Sequence, residues 1–335
     1  MAEVCSALAS MEVGVHVVFR SARISASVEN IFNQPGVSIT ARKGWLQYLG
    51  HLFRLSRKEA RIVSFGLKPS MAVRVVRCIR GKKVVHSMAR NGLDYTWPRY
   101  FHLADWLTSR LVDTYITNSR AAEAHLIKQR LPEERIEVLI SGLPAHWYKR
   151  ADDAGIPIVN KPRVIMVGNS RPEKNQKLGI EALIATRVPV TLDVYTDDAT
   201  DLRKAVTDRI GSQLNISYHE GVMVTPELYD RADILLHPSL SESLPRTVLE
   251  GTARGCVVVA FDTGDTAEIV DESRSTILPV GASRDELSNA LSAVFDQLPS
   301  LRRSRPVSTA GNDVETYTQK LAALIGLQVA RHGQP

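Results

Sequence analysis

Residues His237–Gly255 read HPSLSESLPRTVLEGTARG, and this stretch decides the fold. It continues an apolar run, Ala232–Ser239 (ADILLHPS), that reads as a short buried strand. Proline is favoured at the first turn of a helix and glycine just past its end. Pro245 and Gly255 therefore bracket a helix from about Leu244 to Arg254, joined to the strand by the loop LSES. Glu242 then sits at the mouth of the helix, and Glu250 lies inside it, about one and a half turns on. The first-turn N–H groups point at the same space. Strand, loop and helix make an anion site flanked by two carboxylates, suited to a nucleotide diphosphate with hydroxyl-bearing sugars at either end.

On both sides of this stretch strands and helices alternate. Val164–Val167, Val190–Tyr195, Ile216–Tyr218, Ile234–His237 and Val257–Phe261 read as strands. Asn175–Ala185, Thr200–Ile210, Thr225–Arg231 and Leu244–Arg254 read as the helices between them, with Asp285–Phe295 and Val314–Leu327 closing the chain. Such alternation argues a parallel, doubly wound sheet. Upstream, Ala151–Pro162 (ADDAGIPIVNKP) is polar with two prolines and reads as a linker. The expected organisation is a first domain over 1–150, a linker over 151–162 and a second domain over 163–335. In the first domain a helix and Gly14 lead to strand Val15–Phe19. Strands Ala60–Phe65 and Lys82–Ser87 flank helix Pro69–Arg80. Helix Arg99–Leu111, strand Asp113–Ser119, helix Arg120–Arg130 and strand Arg135–Pro144 follow. The RRSR run at Arg302–Arg305 reads as a solvated loop.

Two motifs in order carry a resemblance. The first is Val164–Leu183, VIMVGNSRPEKNQKLGIEAL, a strand ending in glycine and then a PEK loop. The second is the Glu242/Glu250 pair followed by Cys256–Val270, CVVVAFDTGDTAEIV. Together they resemble the family 4 glycosyltransferases (glycosyl transferases group 1), retaining enzymes of the GT-B fold. The resemblance implies two Rossmann-like, doubly wound parallel-sheet domains facing a cleft: an N-terminal acceptor-binding domain and a C-terminal nucleotide-sugar donor domain, with the last helix crossing back. In that family a first strand and a Gly-Gly loop precede the AEV found here at Ala2–Val4. The expectation is an N-terminal domain lacking its first strand, with the natural start upstream.

The resemblance implies transfer of a hexosyl group, without a metal or cofactor, from a UDP- or GDP-linked sugar to a cell-surface glycan or lipid-linked acceptor, as in lipopolysaccharide or exopolysaccharide biosynthesis. Donor binding falls on Gly168, Asn169, Arg171, Lys174, Glu242, Ser243, Leu244 and Glu250. Arg171 and Lys174 would stabilise charge on the departing diphosphate. The family's arginine directly after the glycine is Asn169 here. Glu250 would accept ribose hydroxyl hydrogen bonds, and Glu242 would sit by the donor sugar. The family places a histidine facing the reacting sugar in the loop after the second strand of this region. Here His86 and Arg90 both compete for that position, with Asn91 beside them. Tyr195–Asp198 (YTDD) is superficially like an Asp-x-Asp metal motif, but aspartates are common where a strand turns.

Charge divides the chain. Residues 1–150 hold 23 Lys+Arg against 11 Asp+Glu, a net of +12, and the remainder holds 19 against 25, a net of −6. A basic first half faces something anionic. Arg42–Arg61, RKGWLQYLGHLFRLSRKEAR, has apolar residues at helical spacing among cations and fits either a packed surface helix or one lying on an anionic membrane. No recognised nucleic-acid module accompanies the charge, so nucleic acid is not an expected partner. Cys5, Cys78 and Cys256 are scattered in apolar settings and read as reduced. With no apolar run of about 18 residues and no signal-peptide pattern, the expected location is cytoplasmic, at the inner membrane face. Two other readings compete: a GT-B sugar-nucleotide epimerase, and a noncatalytic partner in a glycan-assembly complex.

Overall fold

The structure, a computed structural model, describes residues 2–21, 24, 29–30, 32–57, 60–81, 84–90, 98–148, 161–207, 213–303 and 313–327. Asn91 and most of the expected linker (151–160) lie outside the described residues. Contacts divide the chain into Met1–Pro144 with Gly311–Pro335, and Ala145–Ala310.

The second unit is built on six parallel strands: β7 (Arg163–Val167), β8 (Val190–Thr196), β9 (Leu214–Glu220), β10 (Ile234–His237), β11 (Val257–Phe261) and β12 (Ser275–Leu278). Their order is β12-β11-β10-β7-β8-β9. Between them run α6 (Gln176–Ala185), α7 (Thr200–Val206), α8 (Pro226–Asp230), α9 (Arg246–Ala253) and α10 (Thr266–Ile269), and α11 (Arg284–Arg303) follows β12. Strands β10 and β11 are buried at every position, as expected where helices cover both faces of a parallel sheet. Met166, Ile180, Leu236, Phe261 and Leu291 join in one core cluster. Gly251 permits α9 to lie close on β10, since a Cβ there would come within 2.6 Å of Leu235 Cδ2. The chain runs outward from β7 to β9 and then returns to β10 on the other side of β7. The switch point, where open α/β sheets bind ligands, therefore lies between the carboxyl ends of β7 and β10.

The first unit holds two parallel sheets. Strand β1 (Val15–Phe19) pairs with β2 (Val37–Ala41), and β3 (Ala60–Phe65), β4 (Val84–Arg90), β5 (Thr114–Thr117) and β6 (Ile136–Val138) form the other in that order. The helices are α1 (Ala2–Ser10), α2 (Trp45–Leu55), α3 (Leu67–Arg80), α4 (Arg99–Leu107) and α5 (Arg120–Lys128). The last helix, α12 (Val314–Leu324), packs here: Leu321 and Ala322 meet Val4 and Leu8 of α1 over Ile116 and Leu139. Arg61 donates to the carbonyl of Ile325 at 2.7 Å, satisfying an acceptor left open at the end of α12. Ser119 caps α5 by accepting from the N–H of Ala122.

Three local expectations shift. The decisive helix starts at Arg246 and not at Leu244, because Pro245 (φ −74°, ψ 96°) is extended and serves as its N-cap. Helix α11 passes through Pro299 to Arg303, so Arg302 and Arg303 are helical and not in a loop. Leu298 is buried in the core, and Arg274 donates to the Leu301 carbonyl at 2.6 Å, which keeps that last turn docked. Helix 99–111 ends its α-helical part at Leu107 and finishes as a 3₁₀ turn, Ser109–Leu111.

Candidate functional site

Three loops meet at the carboxyl end of the second unit's sheet. The loop after β7 carries Gly168 to Lys174, the loop after β10 carries Pro238 to Pro245, and the turn after β11 carries Asp262 to Asp265. Glu173 ties the first two together: its carbonyl accepts from the N–H of Leu240 at 2.7 Å and from the Ser239 hydroxyl at 3.1 Å. The N–H of Asp265 donates to the Ser243 carbonyl at 3.0 Å and ties the third. Gly264 makes that last contact possible. Its φ is +59°, and a Cβ would fall 2.1 Å from the Ser243 carbonyl oxygen, so backbone would have to move. Gly264→Ala is expected to cost at least about 2 kcal/mol and to loosen the Glu242 loop; thermal unfolding together with nucleotide affinity reads both effects.

Within this frame Lys174 Nζ donates to Glu242 Oε1 at 2.6 Å. His237, the last residue of β10 and buried, reaches the same oxygen through Nε2 at 3.1 Å. A carboxylate only accepts, so Nε2 carries the proton, and Nδ1 is left to accept from the Thr247 hydroxyl at 3.3 Å. Among the described residues no donor engages Glu242 Oε2. Burial raises the Glu242 pKa, but the hydrogen bonds from His237 and Lys174 and the charge of Lys174 outweigh it and hold the carboxyl at about 2. A carboxyl depressed from 4.5 contributes stability above about pH 4.5, and that contribution is lost as pH falls towards 2. The stability difference between the native protein and Glu242→Gln should therefore shrink across that window; unfolding curves from pH 7 to pH 3 measure it.

Glu250 is buried on α9, with Arg246 Nε on Oε1 at 2.9 Å and the Tyr229 hydroxyl on Oε2 at 2.8 Å. Burial, then the adjacent Glu250 carboxylate, push the Tyr229 hydroxyl well above its ordinary range. Ser243 and Leu244 are buried in the connecting loop. At the end of β7, the Gly168 N–H bonds the Tyr195 carbonyl at 3.0 Å, and its own carbonyl accepts from Gln176 Nε2 at 3.1 Å. Asn169 holds a buried Oδ1 with no partner among the described residues, an acceptor at the switch point. Arg171 departs from the group: its side chain is 70% exposed and pairs at 3.8 Å with Glu173, away from Glu242. Asp197 and Asp198 build the turn after β8. Asp197 accepts from the Ser170 N–H at 2.6 Å and Asp198 from the Thr200 N–H at 2.8 Å.

In the first unit neither candidate presents its functional group. His86 is fully buried in β4, its Nε2 2.9 Å from the Ser64 hydroxyl and its Nδ1 3.2 Å from the Leu111 carbonyl. Burial pushes its pKa down to about 4. Its place in a reacting site is corrected to that of a satisfied core histidine. Arg90 is buried too. It bonds Asp105 and, at 3.1 Å, Gln129 Oε1. Its residue still lines a cavity of about 280 Å³ at the carboxyl ends of the strands, with Gly66, Thr117, Asn118, Ser141 and Tyr317.

The residues that sequence reasoning missed are His237, Thr247, Arg246 and Tyr229. His237 and Arg246 lie inside the quoted stretch, and His237 ends a strand at a switch point, which is a usable signal. Nothing local marks Tyr229, whose contact with Glu250 spans 21 residues.

Residues 161–297 match the profile described as Glycosyl transferases group 1. The second unit is a glycosyltransferase group 1 domain. Over 141 residues the chain is 26% identical to the lipopolysaccharide glucosyltransferase WaaG of Escherichia coli, an alignment covering 41% of this chain and 38% of that protein. Over 116 residues it is 29% identical to a D-inositol 3-phosphate glycosyltransferase of Paenarthrobacter aurescens, covering 34% and 28%. The chain thus spans well under half the length of these relatives. The whole fold resembles Anabaena Alr3699/HepE in complex with UDP (TM-score 0.76, 16% identity, 96% and 95% of the two chains). It also resembles a glycosyltransferase from Rickettsia africae (0.79, 13%, 96% and 92%) and the lipopolysaccharide outer core galactosyltransferase WaaB (0.70, 12%, 97% and 93%). The fold is GT-B, with parallel sheets in two Rossmann-like domains. In this group 1 domain, the Lys174–Glu242–His237 cluster lies in the matched segment, as do Tyr229, Arg246 and Glu250.

Proposed function

We propose that this protein is a retaining glycosyltransferase that moves a sugar from a UDP- or GDP-linked donor to a glycan or lipid-linked acceptor, without a metal. The observation that carries this reading is the pairing of Lys174 and Glu242 across the switch point, at 2.6 Å. As the bond between the anomeric carbon and the phosphate oxygen breaks, negative charge grows on the diphosphate. The Lys174 ammonium supplies a fixed positive charge there, exchanging part of its contact with Glu242 for a phosphate oxygen. Glu242 Oε2 accepts a hydrogen bond from a donor-sugar hydroxyl, while His237 and Lys174 keep the carboxyl ionised. Glu250, held by Tyr229 and Arg246, accepts a hydrogen bond from a ribose hydroxyl. Arg171 reaches the phosphates only by leaving Glu173. The acceptor attacks from the face the phosphate leaves, and no protein nucleophile is assigned.

The relatives described as binding UDP favour a UDP-linked donor, and those named for lipopolysaccharide favour a cell-surface glycan as acceptor. The test is turnover of a panel of UDP- and GDP-sugars with membrane glycolipid extract in the presence of EDTA, with the product's anomeric configuration read by proton NMR. Transfer with retained configuration is expected. Inversion, or a requirement for divalent metal, would overturn the proposal.

A further inference from the structure

A diphosphate at the switch point of the second unit carries negative charge on each phosphate, and the groups already placed there do not offset it. Lys174 is bonded to Glu242, so its positive charge is matched. Glu250 adds a second carboxylate from α9. Asn169 is neutral, and Arg171 is turned to solvent beside Glu173. Lys174, Glu242 and Glu250 by themselves leave a net negative charge, which repels a diphosphate. Arg246 alters that balance. It is the first residue of α9 and follows directly on the loop that carries Glu242. Its side chain is 52% exposed, and it holds Glu250 Oε1 through Nε, at 2.9 Å. Among the described residues neither of its terminal nitrogens has a protein partner. A guanidinium presents its N–H donors in a fixed fork, so those on the terminal nitrogens remain for a ligand.

We propose that Arg246 is a second cation of the donor site and binds the phosphate next to the ribose. The inference rests on the reading above, in which a nucleotide-linked sugar occupies the switch point. There Glu250 takes the ribose and Glu242 the sugar, so the diphosphate runs from one carboxylate toward the other. Arg246 is tied to the ribose end through Glu250, and Lys174 to the sugar end through Glu242. Each cation therefore meets a different phosphate: Arg246 the one esterified to ribose, Lys174 the one from which the sugar departs. Together they offset the two carboxylates. The fork of a guanidinium matches two phosphate oxygens, which a lysine at 246 would not reproduce. The Nε contact with Glu250 already restricts the side chain, so less rotamer freedom is lost when a phosphate arrives. A pair four residues apart is also an ordinary contact on a helix surface. This one differs in its place, since it opens the helix at the switch point and its partner is the carboxylate assigned to the ribose.

The test is titration of uridine, UMP and UDP, or the guanosine series if GDP is the ligand, into native protein, Arg246→Gln, Arg246→Lys and Lys174→Ala, with binding read by NMR. Arg246→Gln should weaken UMP and UDP by about 10–100-fold and leave the nucleoside within about two-fold of native. Arg246→Lys should stay at least about five-fold weaker than native for UDP. Lys174→Ala should weaken UDP and leave UMP nearly unchanged. A role exercised only through Glu250 is separated by repeating the Arg246→Gln step in a Glu250→Gln background, where the loss of UDP affinity should persist at about ten-fold. Unchanged UDP affinity in Arg246→Gln, equal weakening of nucleoside and UDP, or disappearance of the effect in the Glu250→Gln background would overturn the proposal. If UDP binding is lost in Lys174→Ala but kept in Arg246→Gln, the donor site stands and only this assignment falls. Folded native protein that binds neither diphosphate would remove both.

Discussion

Glu242→Gln and Lys174→Ala should each lower sugar transfer by about 10²–10³-fold while the protein stays folded. Lys174 is the cation best placed for a departing diphosphate: it is 22% exposed at the carboxyl end of β7 and already bonded to the opposite loop. Glutamine at 242 keeps the shape but removes the charge that holds Lys174 and His237, so the ammonium is no longer fixed before the bond breaks. A positioned charge acts through pre-organisation, and most of the loss should fall on kcat. The two effects should not add, because both substitutions break one ion pair. Steady-state kinetics on the single and double variants measures this. Turnover within about three-fold of native in both single variants would remove the site from this position.

Asp105→Ala should be the most destabilising single change in the first unit, at about 3–5 kcal/mol. The Asp105 carboxylate is 1% exposed and joins two buried guanidiniums, Arg74 at 2.6 Å and Arg90. Removing it takes the shared carboxylate from two buried guanidiniums, of which Arg74 also donates to the Thr108 and Tyr115 hydroxyls and Arg90 to the Gln129 amide oxygen. The cost exceeds the net worth of the ion pairs because the orphaned charges stay desolvated. Urea unfolding of native and variant protein gives the value, and a change under about 1 kcal/mol would show that Arg74 and Arg90 reach solvent. Because Asp105 also anchors α4 to α3 and β4, the same variant should loosen the outer face of α4.

The second unit was legible from its sequence because each strand is an apolar run ended by a turn residue. Strands Ile234–His237 and Val257–Phe261 have the bounds that periodicity gave them. β12, Ser275–Leu278, escaped notice because STIL is short and half polar, and it pairs only with β11. β2, Val37–Ala41, alternates weakly and pairs only with β1. The Glu242 and Glu250 positions followed from one loop and one helix. Their partners did not, since Lys174 meets Glu242 across 68 residues and Tyr229 meets Glu250 from another helix. His86 misled because a histidine at a strand end looks the same in sequence whether it faces solvent or Ser64. Arg90 misled for a related reason: its partner, Asp105, sits on a helix fifteen residues on.

The most direct test is calorimetric titration of UDP and of GDP, with EDTA present, into the native protein, Lys174→Ala and Asp197→Asn. The account predicts that the native protein binds one of the two diphosphates, that Lys174→Ala weakens that binding by about 10²-fold, and that Asp197→Asn leaves it nearly unchanged. Folded native protein that binds neither diphosphate, or binding that survives Lys174→Ala intact, would contradict it.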